Sequence, residues 1–502
     1  MSEHNQNEVI ITPEYDDNGK ANYHLPNAKT DKNLVAVCPK VADKVIPVIF
    51  LPGVMGSNLT NGNGGGVWHA NFYKGIENLS WIFKSAEKRK ELLNPETSIV
   101  DDDGKILRNE QEGRIFPSRK KRGWGTALYL SYGEMLDALQ FMLNDQHLLL
   151  ENLAGATKHL TFRQQLIGEN MRAELGEEPL TDEEVRHSYE FLFPLHVFGY
   201  NWLQSNSESA QKLDEFVSDV LELYCGRLAV EKVILITHSM GGLVARHYSE
   251  NMAGRDKILG IIHGVMPDLG SPATYRRMKT GERGLFGAII GSNAEEMMPV
   301  LAQSPGPLQL LPGKAYGSGW LKIKSDGKIQ SKPLADPYEE IYLNELDWWR
   351  LCEKDLLLGD EEKEWDKYFN NIKKIVRKFI EGLNGKYHPQ TWAFYGASSE
   401  HPSDQSLIWS ERPYKLPLPT YRESAGKKFE LTSSASPGDG TVPVKSGRIG
   451  WSGLRSLLAT KVDHEGAYAS NIQKGKETSM ALKFTLRAIV KMVQSVPGTG
   501  CN

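Results

Sequence analysis

Residues 232–242 read Lys-Val-Ile-Leu-Ile-Thr-His-Ser-Met-Gly-Gly, and this stretch is the strongest indication of the fold. An apolar run rich in β-branched residues ends in a turn of small residues centred on Ser239, and a helical pattern follows directly. This order is typical of a nucleophile elbow, the strand-to-helix turn that raises a serine Oγ above a sheet. The amide of Met240 then lies at a helix N-terminus, where it can stabilise an oxyanion. Thr237 stands where such elbows usually have glycine, yet threonine still suits the end of a strand.

Strand patterns alternate with helical patterns along the rest of the chain. Strands are predicted at residues 45–51, 197–202, 258–264, 390–397 and 428–433. Helices are predicted at residues 132–143, 181–192, 207–225 and 476–493. Such alternation favours a mainly parallel sheet covered by helices. Together with the elbow, it predicts the α/β-hydrolase fold.

The pattern divides the chain into a polar N-terminal lead-in, residues 1–44, and one α/β-hydrolase domain, residues 45–502. Two insertions, at about 60–190 and 275–385, read as mainly helical, so we expect them to cap the site and to form no sheet of their own. Apolar residues recur at helical spacing between Trp365 and Leu383. That stripe favours core packing, with a lipid-facing lid surface as the alternative.

Composition excludes several classes of function. The 502 residues are 40% hydrophobic and 24% charged with a net charge of −4, which is typical of a globular protein and gives no reason to expect nucleic acid binding. Four widely spaced cysteines argue against a disulfide framework or a zinc site. We expect no cofactor and no catalytic metal, although Asp101, Asp102 and Asp103 could supply oxygen ligands to a structural ion.

The sequence also bears on location. No stretch reaches the ~18 apolar residues that a membrane span needs. The N-terminal residues lack the basic and apolar regions of a secretory signal, so synthesis in the cytoplasm is expected. The basic cluster at residues 119–122 is either a solvated loop or a contact for anionic lipid head groups.

A nucleophilic serine needs a general base, and the base needs an acid that orients it. In this fold the three follow the chain order serine, acid, histidine. Asp439 follows a predicted strand and lies between glycines, and His464 is the histidine that comes after it. Asp268 also follows a strand and is the main alternative acid. Asp463 and Glu465 adjoin the histidine, where either could alter its pKa.

Two backbone amides are expected to form an oxyanion hole. One belongs to Met240, directly after the nucleophile, and the other to the loop after the first strand. In that loop, residues 51–57, Gly53 lets the backbone turn so that the amide of Val54 can point at the substrate.

Four stretches together resemble the lecithin:cholesterol acyltransferase-like and GPI-inositol-deacylase-like lipases. They are residues 51–57, 200–202, 238–242 and 438–443, in the order found in those families. The resemblance implies Ser239 as nucleophile, Asp439 as acid and His464 as base. It also implies Val54 and Met240 as oxyanion donors.

Residues 122–125, 131–133 and 304–312 resemble a narrower group, the bacterial lipase effectors of type VI secretion. That resemblance implies phospholipase A-type hydrolysis of a rival's membrane lipids from the target-cell periplasm. It also implies two kinds of partner, a component of the secretion apparatus and a cognate immunity protein.

Two other functions remain open at this point. The same site could serve a lipid acyltransferase or neutral-lipid esterase with a housekeeping role, in which the acyl acceptor or the lipid differs. A catalytically inactive binding scaffold is an alternative of another class, and the ordered serine, aspartate and histidine argue against it.

Overall fold

The strands of the two largest sheets determine where the site lies. The computed structural model describes residues 8–11, 14–15, 21–24, 35–37, 42, 44–61, 66–68, 84–107, 115–145, 160–225, 229–282, 287, 290–412, 421–424, 427–469 and 478–498. In chain order, these strands are β1 (Val48–Leu51), β2 (Leu195–Val197), β3 (Val233–His238), β4 (Ile258–Gly264), β5 (Leu321–Ser325), β6 (Lys328–Lys332), β7 (Thr391–Gly396), β8 (Ser398–Arg412), β9 (Tyr421–Ser424), β10 (Lys427–Gly438) and β11 (Ser456–Thr460).

Helices and shorter elements connect these strands. The α-helices are α1 (Ala86–Leu92), α2 (Tyr129–Leu143), α3 (Phe162–Gln165), α4 (Asp182–Ser188), α5 (Asn206–Tyr224), α6 (Gly241–Asn251), α7 (Pro272–Thr280), α8 (Ala294–Ala302), α9 (Pro305–Leu308), α10 (Glu361–Asn370), α11 (Arg377–Leu383), α12 (Val444–Gly447) and α13 (Met480–Val493). Single turns of other helix types lie at Trp124–Thr126, Arg255–Lys257, Lys314–Tyr316, Tyr338–Tyr342, Lys354–Leu356 and Asn371–Val376. Short additional strands lie at Glu8–Ile10, Glu14–Tyr15, Ala21–Asn22, Val35–Val37, Lys44–Val45, Leu59–Thr60, Gly66–Trp68, Ile99–Val100, Phe191–Leu192 and Ala229–Val230.

The main sheet has the strand order β2-β1-β3-β4-β7-β11, and neighbouring strands are parallel throughout. Strand β3 is buried along its whole length, as its continuous apolar run predicts. It lies between β1 and β4, so the residue that follows it emerges at the centre of the sheet's carboxyl edge. The predicted α/β-hydrolase fold is confirmed.

The predicted strand at 197–202 was wrong in its bounds, because pairing with β1 stops at Val197. The amide of Phe198 still donates to the carbonyl oxygen of Phe50 in β1 at 2.9 Å, and the next two backbone amides donate to side chains. The amide of Gly199 donates to Thr126 Oγ1 at 3.0 Å, and that of Tyr200 donates to Ser57 Oγ at 3.0 Å. An apolar run therefore continues here without a ladder to support a strand.

Helices cover both faces of the main sheet. Successive residues of β1 alternate between two hydrophobic clusters, with Ile49 on one face and Phe50 on the other. The first cluster includes the apolar side of α5, and the second includes α2 and α13. The predicted helices at 207–225 and 476–493 correspond to α5 and α13. No helix within the described residues is both long and apolar enough to cross a membrane.

The expectation that the insertions form no sheet was wrong. Strands β5 and β6 lie inside the second insertion and join a five-stranded sheet of order β6-β5-β8-β10-β9. The predicted strand at 428–433 is part of β10 and belongs to this second sheet. Alternation in β5 is short, with Leu321 and Ile323 buried and Lys322 between them. The strand pairs with the adjacent β6 and with β8, which is distant in sequence.

Two further interpretations can be compared with the structure. In the apolar stripe of the second insertion, Trp365, Ile372, Val376, Phe379 and Leu383 are buried, so the stripe packs in the core. Most of the predicted lead-in, residues 1–44, lies outside the described residues.

The basic cluster at residues 119–122 is solvated only in part, because Arg119 and Arg122 are buried while its two lysines are exposed. Arg122 donates from Nη1 to the carbonyl oxygen of Leu195 at 2.8 Å and to Gln140 Oε1 at 2.5 Å. Burial lowers the pKa of Arg122 to about 10. Arg119 forms an ion pair with Asp137 at 2.8 Å. The two arginines therefore stabilise the packing of α2 against the edge of the main sheet.

A buried histidine beside the elbow makes stability depend on pH. His263 on β4 lies with Nδ1 3.0 Å from Thr237 Oγ1, and its buried Nε2 has no hydrogen-bond partner among the described residues. Burial lowers the pKa of His263 from 6.5 to about 3, and repulsion by Arg246 and His388 adds to the shift. The unfolded chain therefore binds a proton here that the folded protein does not.

We expect acid to destabilise the protein through this residue. Because the folded pKa lies below the unfolded value, stability falls as pH drops below 6.5, by about 2 kcal/mol between pH 7 and pH 5. His263→Leu removes that contribution. Urea unfolding of both proteins at the two pH values measures it, and an equal loss of unfolding free energy in both would contradict the assignment.

Candidate active site

The turn after β3 has the geometry of a nucleophile elbow. Ser239 has φ of +51°, the left-handed region that is strained for a serine. A Cβ on Gly241 would lie 2.6 Å from the carbonyl oxygen of Pro52. A Cβ on Gly242 would lie 2.6 Å from the sulfur of Met266. The two glycines are therefore required for this approach, while Thr237 fits because it is still a strand residue paired with β1 and β4.

The structure brings the three predicted residues together. Nε2 of His464 lies 2.9 Å from Ser239 Oγ, and its Nδ1 lies 2.8 Å from Asp439 Oδ2. Asp439 and Ser239 are buried, at 2% and 3% exposure, and His464 is half-buried. A carboxylate on Nδ1 favours the tautomer that leaves Nε2 free to accept a proton from the serine.

The acid is held by its own loop. The amides of Thr441 and Val442 donate to Asp439 Oδ1 at 2.9 and 2.6 Å, so the other carboxylate oxygen faces His464. The amide of His464 in turn donates to the carbonyl oxygen of Asp439 at 2.7 Å. Asp439 follows a strand, β10, as the sequence predicted. The sequence did not predict that this strand belongs to the second sheet.

The alternative acids have other partners. The side chain of Asp268 is buried, and it accepts hydrogen bonds from Arg246 Nη1 at 2.6 Å and from the Tyr387 hydroxyl at 2.8 Å. Asp463 is exposed and accepts a hydrogen bond from the amide of Gly466 at 2.7 Å. Asp268 therefore stabilises the packing of α6, and Asp463 stabilises a turn.

The loop after β1 lies directly against the serine. A Cβ on Gly53 would be 3.1 Å from Ser239 Cβ, so only glycine allows this contact. Val54 lines the cavity beside the serine, and Met240 begins helix α6. Within the described part of the chain, the amides of Val54 and Met240 donate to no protein group. Both are thus positioned as the oxyanion-hole prediction requires, and that role stays a prediction.

The cavity beside Ser239 has a volume of about 80 Å³. Besides Ser239 and His464, one face of α7 and its cap form the wall, with Ser271, Thr274 and Arg277 spaced three residues apart. A diacyl lipid is far larger than this volume, so the cavity can hold only the part of such a molecule that surrounds the scissile ester.

A chain of hydrogen bonds that the sequence analysis missed connects both sides of the site. His238 Nε2 lies 2.7 Å from the carbonyl oxygen of His464, which can only accept, so Nε2 carries the proton. Its Nδ1 therefore accepts from the Tyr132 hydroxyl at 2.8 Å, and that hydroxyl accepts from the amide of Gly53 at 3.1 Å. Burial lowers the pKa of His238 to about 3, which keeps it neutral. The only sequence signal is that His238 adjoins the serine, because Tyr132 is 106 residues away.

We expect Tyr132→Phe to impair catalysis without removing any reacting group. The change leaves His238 Nδ1 and the amide of Gly53 without their partner, each at a cost of about 1–3 kcal/mol. The loops that carry Val54 and His464 then lose their connection, so we expect kcat to fall about tenfold while KM changes less. Steady-state kinetics with p-nitrophenyl butyrate measure this, and an unchanged kcat in the folded variant would contradict it.

The loop of Asp101, Asp102 and Asp103 was considered in the sequence analysis as a source of oxygen ligands for an ion. The carboxylates of Asp101, Asp102 and Asp103 lie within 4.8 Å of one another, and Asp103 forms an ion pair with Lys120 at 2.5 Å. Acidic groups at a surface often cluster in this way, so the loop is not assigned as a metal site.

Comparisons with known proteins agree with this geometry. Residues 199–280, which include β3 and Ser239, match the family model of the PGAP1-like alpha/beta domain. Methylesterase 9 of Arabidopsis thaliana is 28% identical over 105 residues, which are 21% of this chain and 37% of that protein. This chain therefore matches little more than a third of the methylesterase's length.

A solved structure extends the similarity to nearly the whole chain. A chain in the crystal structure of the Tle4–Tli4 complex is 27% identical, with a TM-score of 0.75, over 91% of this chain and 100% of that chain. These similarities support a lipase or esterase as the general class of enzyme. The chain therefore has the α/β-hydrolase fold, with residues 199–280 similar to the PGAP1-like alpha/beta domain, and its predicted resemblance to the lipase effectors of type VI secretion is confirmed by the match to Tle4.

Proposed function

We propose that the protein is a serine lipase of the phospholipase A type, which hydrolyses a carboxylic ester bond of membrane glycerophospholipids. The observation that carries the proposal is the position of His464, with Nε2 2.9 Å from Ser239 Oγ and Nδ1 2.8 Å from Asp439 Oδ2. This arrangement supports general-base activation of a serine. It also argues against a catalytically inactive scaffold.

In the first half of the reaction, Ser239 Oγ attacks the ester carbonyl carbon and its proton passes to His464 Nε2. The carbonyl oxygen becomes an oxyanion, to which the amides of Val54 and Met240 donate hydrogen bonds. The intermediate then expels the lysophospholipid alkoxide, which takes the proton from His464. The acyl group remains as an ester on the serine.

In the second half, a water molecule attacks the acyl-enzyme and gives a proton to His464. Collapse of the second intermediate releases the fatty acid and returns that proton to the serine. Asp439 remains ionised throughout and stabilises the imidazolium that forms in each half. No step requires a metal ion.

The products from a defined phospholipid test this proposal. We expect wild-type protein to convert phosphatidylcholine in detergent mixed micelles into lysophosphatidylcholine and free fatty acid in equal amounts, and Ser239→Ala to yield neither. Mass spectrometry of the extracted lipids measures both products. Formation of diacylglycerol or phosphatidic acid would contradict the proposal, since these products come from cleavage at the phosphate.

We further propose that the enzyme is an antibacterial effector that acts in the periplasm of a target cell and that an immunity protein inhibits it in the producer. The match to a chain solved as a Tle4–Tli4 complex supports this role. The resemblance at residues 122–125, 131–133 and 304–312 also supports it.

This role predicts toxicity that depends on compartment. We expect a fusion to a periplasmic signal sequence to arrest growth of a susceptible bacterium, because the enzyme then reaches accessible membrane lipid. Cytoplasmic expression should be tolerated much better, and Ser239→Ala should be harmless in both compartments. Growth curves with matched expression levels measure this. Equal growth with the periplasmic wild type and Ser239→Ala would favour a housekeeping role.

A further inference from the structure

The wall of the cavity beside Ser239 carries two side chains of opposite charge that the reaction does not use. Arg277 reaches the cavity from α7, and Glu465 reaches it from the loop of His464. Glu465 is exposed but partly shielded from solvent by its neighbours; this shielding raises its pKa, and attraction to His464 and Arg277 opposes that rise. The two groups therefore lie within electrostatic range of each other, beside the reacting atoms.

Arg277 is held in place but keeps a free donor. Its Nε forms an ion pair with Glu282, and its Nη2 lies 3.5 Å from Thr441 Oγ1. Nη1 donates to no protein group within the described part of the chain. A guanidinium fixed in this way can donate to a phosphate oxygen without first losing its rotational freedom.

The charges around the cavity favour a ligand with a cationic end. The neighbouring arginine, Arg276, is neutralised by Asp404 at 2.7 Å. Among the residues that the structure describes, only Arg277 and Glu465 of the remaining charged groups line the cavity, and Glu282 pairs with Arg277 from outside the lining, so the charge of Arg277 is partly balanced and that of Glu465 is not. Glu465 is exposed, so an ammonium group from solvent can reach its carboxylate.

We propose that Arg277 and Glu465 form a head-group site for zwitterionic phospholipids, with the phosphate at Arg277 and the ammonium group at Glu465. The inference rests on the phospholipid hydrolysis proposed above and specifies the substrate class for that site. A head group that carries a phosphate without a cation leaves Glu465 unpaired and places a second negative charge beside it. Such lipids are therefore poorer substrates.

Turnover of two lipids with the same acyl chains tests the site. In mixed micelles with a neutral detergent, we expect kcat/KM for phosphatidylcholine to exceed that for phosphatidylglycerol about fivefold, the effect of one exposed ion pair. Glu465→Gln should bring this ratio close to one. Arg277→Gln should lower kcat/KM for both lipids relative to p-nitrophenyl butyrate, which has no phosphate.

A matched control separates the site from general surface charge. Asp463→Asn removes the same charge from the adjacent exposed acid, which does not line the cavity, and should leave the lipid ratio unchanged. A wild-type ratio near one, or an equal change of ratio in both variants, would overturn the head-group site while phospholipid hydrolysis stands. Hydrolysis of p-nitrophenyl butyrate with neither lipid cleaved would overturn the phospholipase proposal itself.

Discussion

Ser239→Ala will lower kcat for p-nitrophenyl butyrate by about 10³-fold or more, because the acyl-enzyme cannot form. The fold will remain, since the side-chain oxygen has His464 as its hydrogen-bond partner and alanine keeps the same Cβ in the strained turn. Initial rates of p-nitrophenol release, followed by spectrophotometry, give kcat, and circular dichroism checks that the variant is folded.

A second serine provides the control for this change. Ser218→Ala removes a hydroxyl from the exposed side of α5, which does not line the cavity, and should keep wild-type activity. A folded Ser239→Ala protein with near-normal kcat would place the nucleophile elsewhere.

Asp439→Asn is expected to have the second largest effect, a loss of about 10³–10⁴-fold in kcat. The amides of Thr441 and Val442 will hold the remaining amide oxygen, so the new NH₂ group faces His464 Nδ1. Nδ1 of His464 must then accept a hydrogen bond, so the proton of the imidazole lies on Nε2, which faces the serine. In this tautomer Nε2 cannot accept the proton of the serine. Measurement of kcat against pH in the folded variant tests this explanation.

Asp268→Asn distinguishes the two acids. Removing this charge leaves Arg246 buried without its ionic partner, so we expect about 3–5 kcal/mol lower stability. The kcat of the folded fraction should stay within about tenfold of wild type, because Asp268 does not contact the histidine. The reverse pattern, with Asp439→Asn active and Asp268→Asn inactive, would transfer the acid role to Asp268.

The nucleophile turn could be predicted because its determinants are local. A buried strand, a strained serine and two glycines all lie within residues 232–242, so a short window specifies the conformation. Asp439 and His464 could be predicted from chain order alone, since the fold fixes where strands end even when the sequence gives no distances.

The second sheet was missed for two reasons: the local hairpin of β5 and β6, which turns at Asp326-Gly327, was overlooked in the sequence, and the next pairing of β5 is long-range. Strand β5 pairs with β8, in which Leu407 stands opposite Leu321, and no local pattern identifies such a partner. The same limitation applies to the site. Tyr132 and Arg277 reach the cavity from helices distant in sequence from Ser239, so only tertiary packing reveals their positions.

The most direct measurement of the central claim is peptide mass mapping after reaction with a fluorophosphonate. This reagent forms a covalent adduct with a serine only where a base activates the hydroxyl. Wild-type protein should carry one adduct, on the peptide that contains Ser239, and His464→Ala should acquire it far more slowly. An unlabelled Ser239, or an adduct on another serine, would contradict the assignment of this residue as the nucleophile.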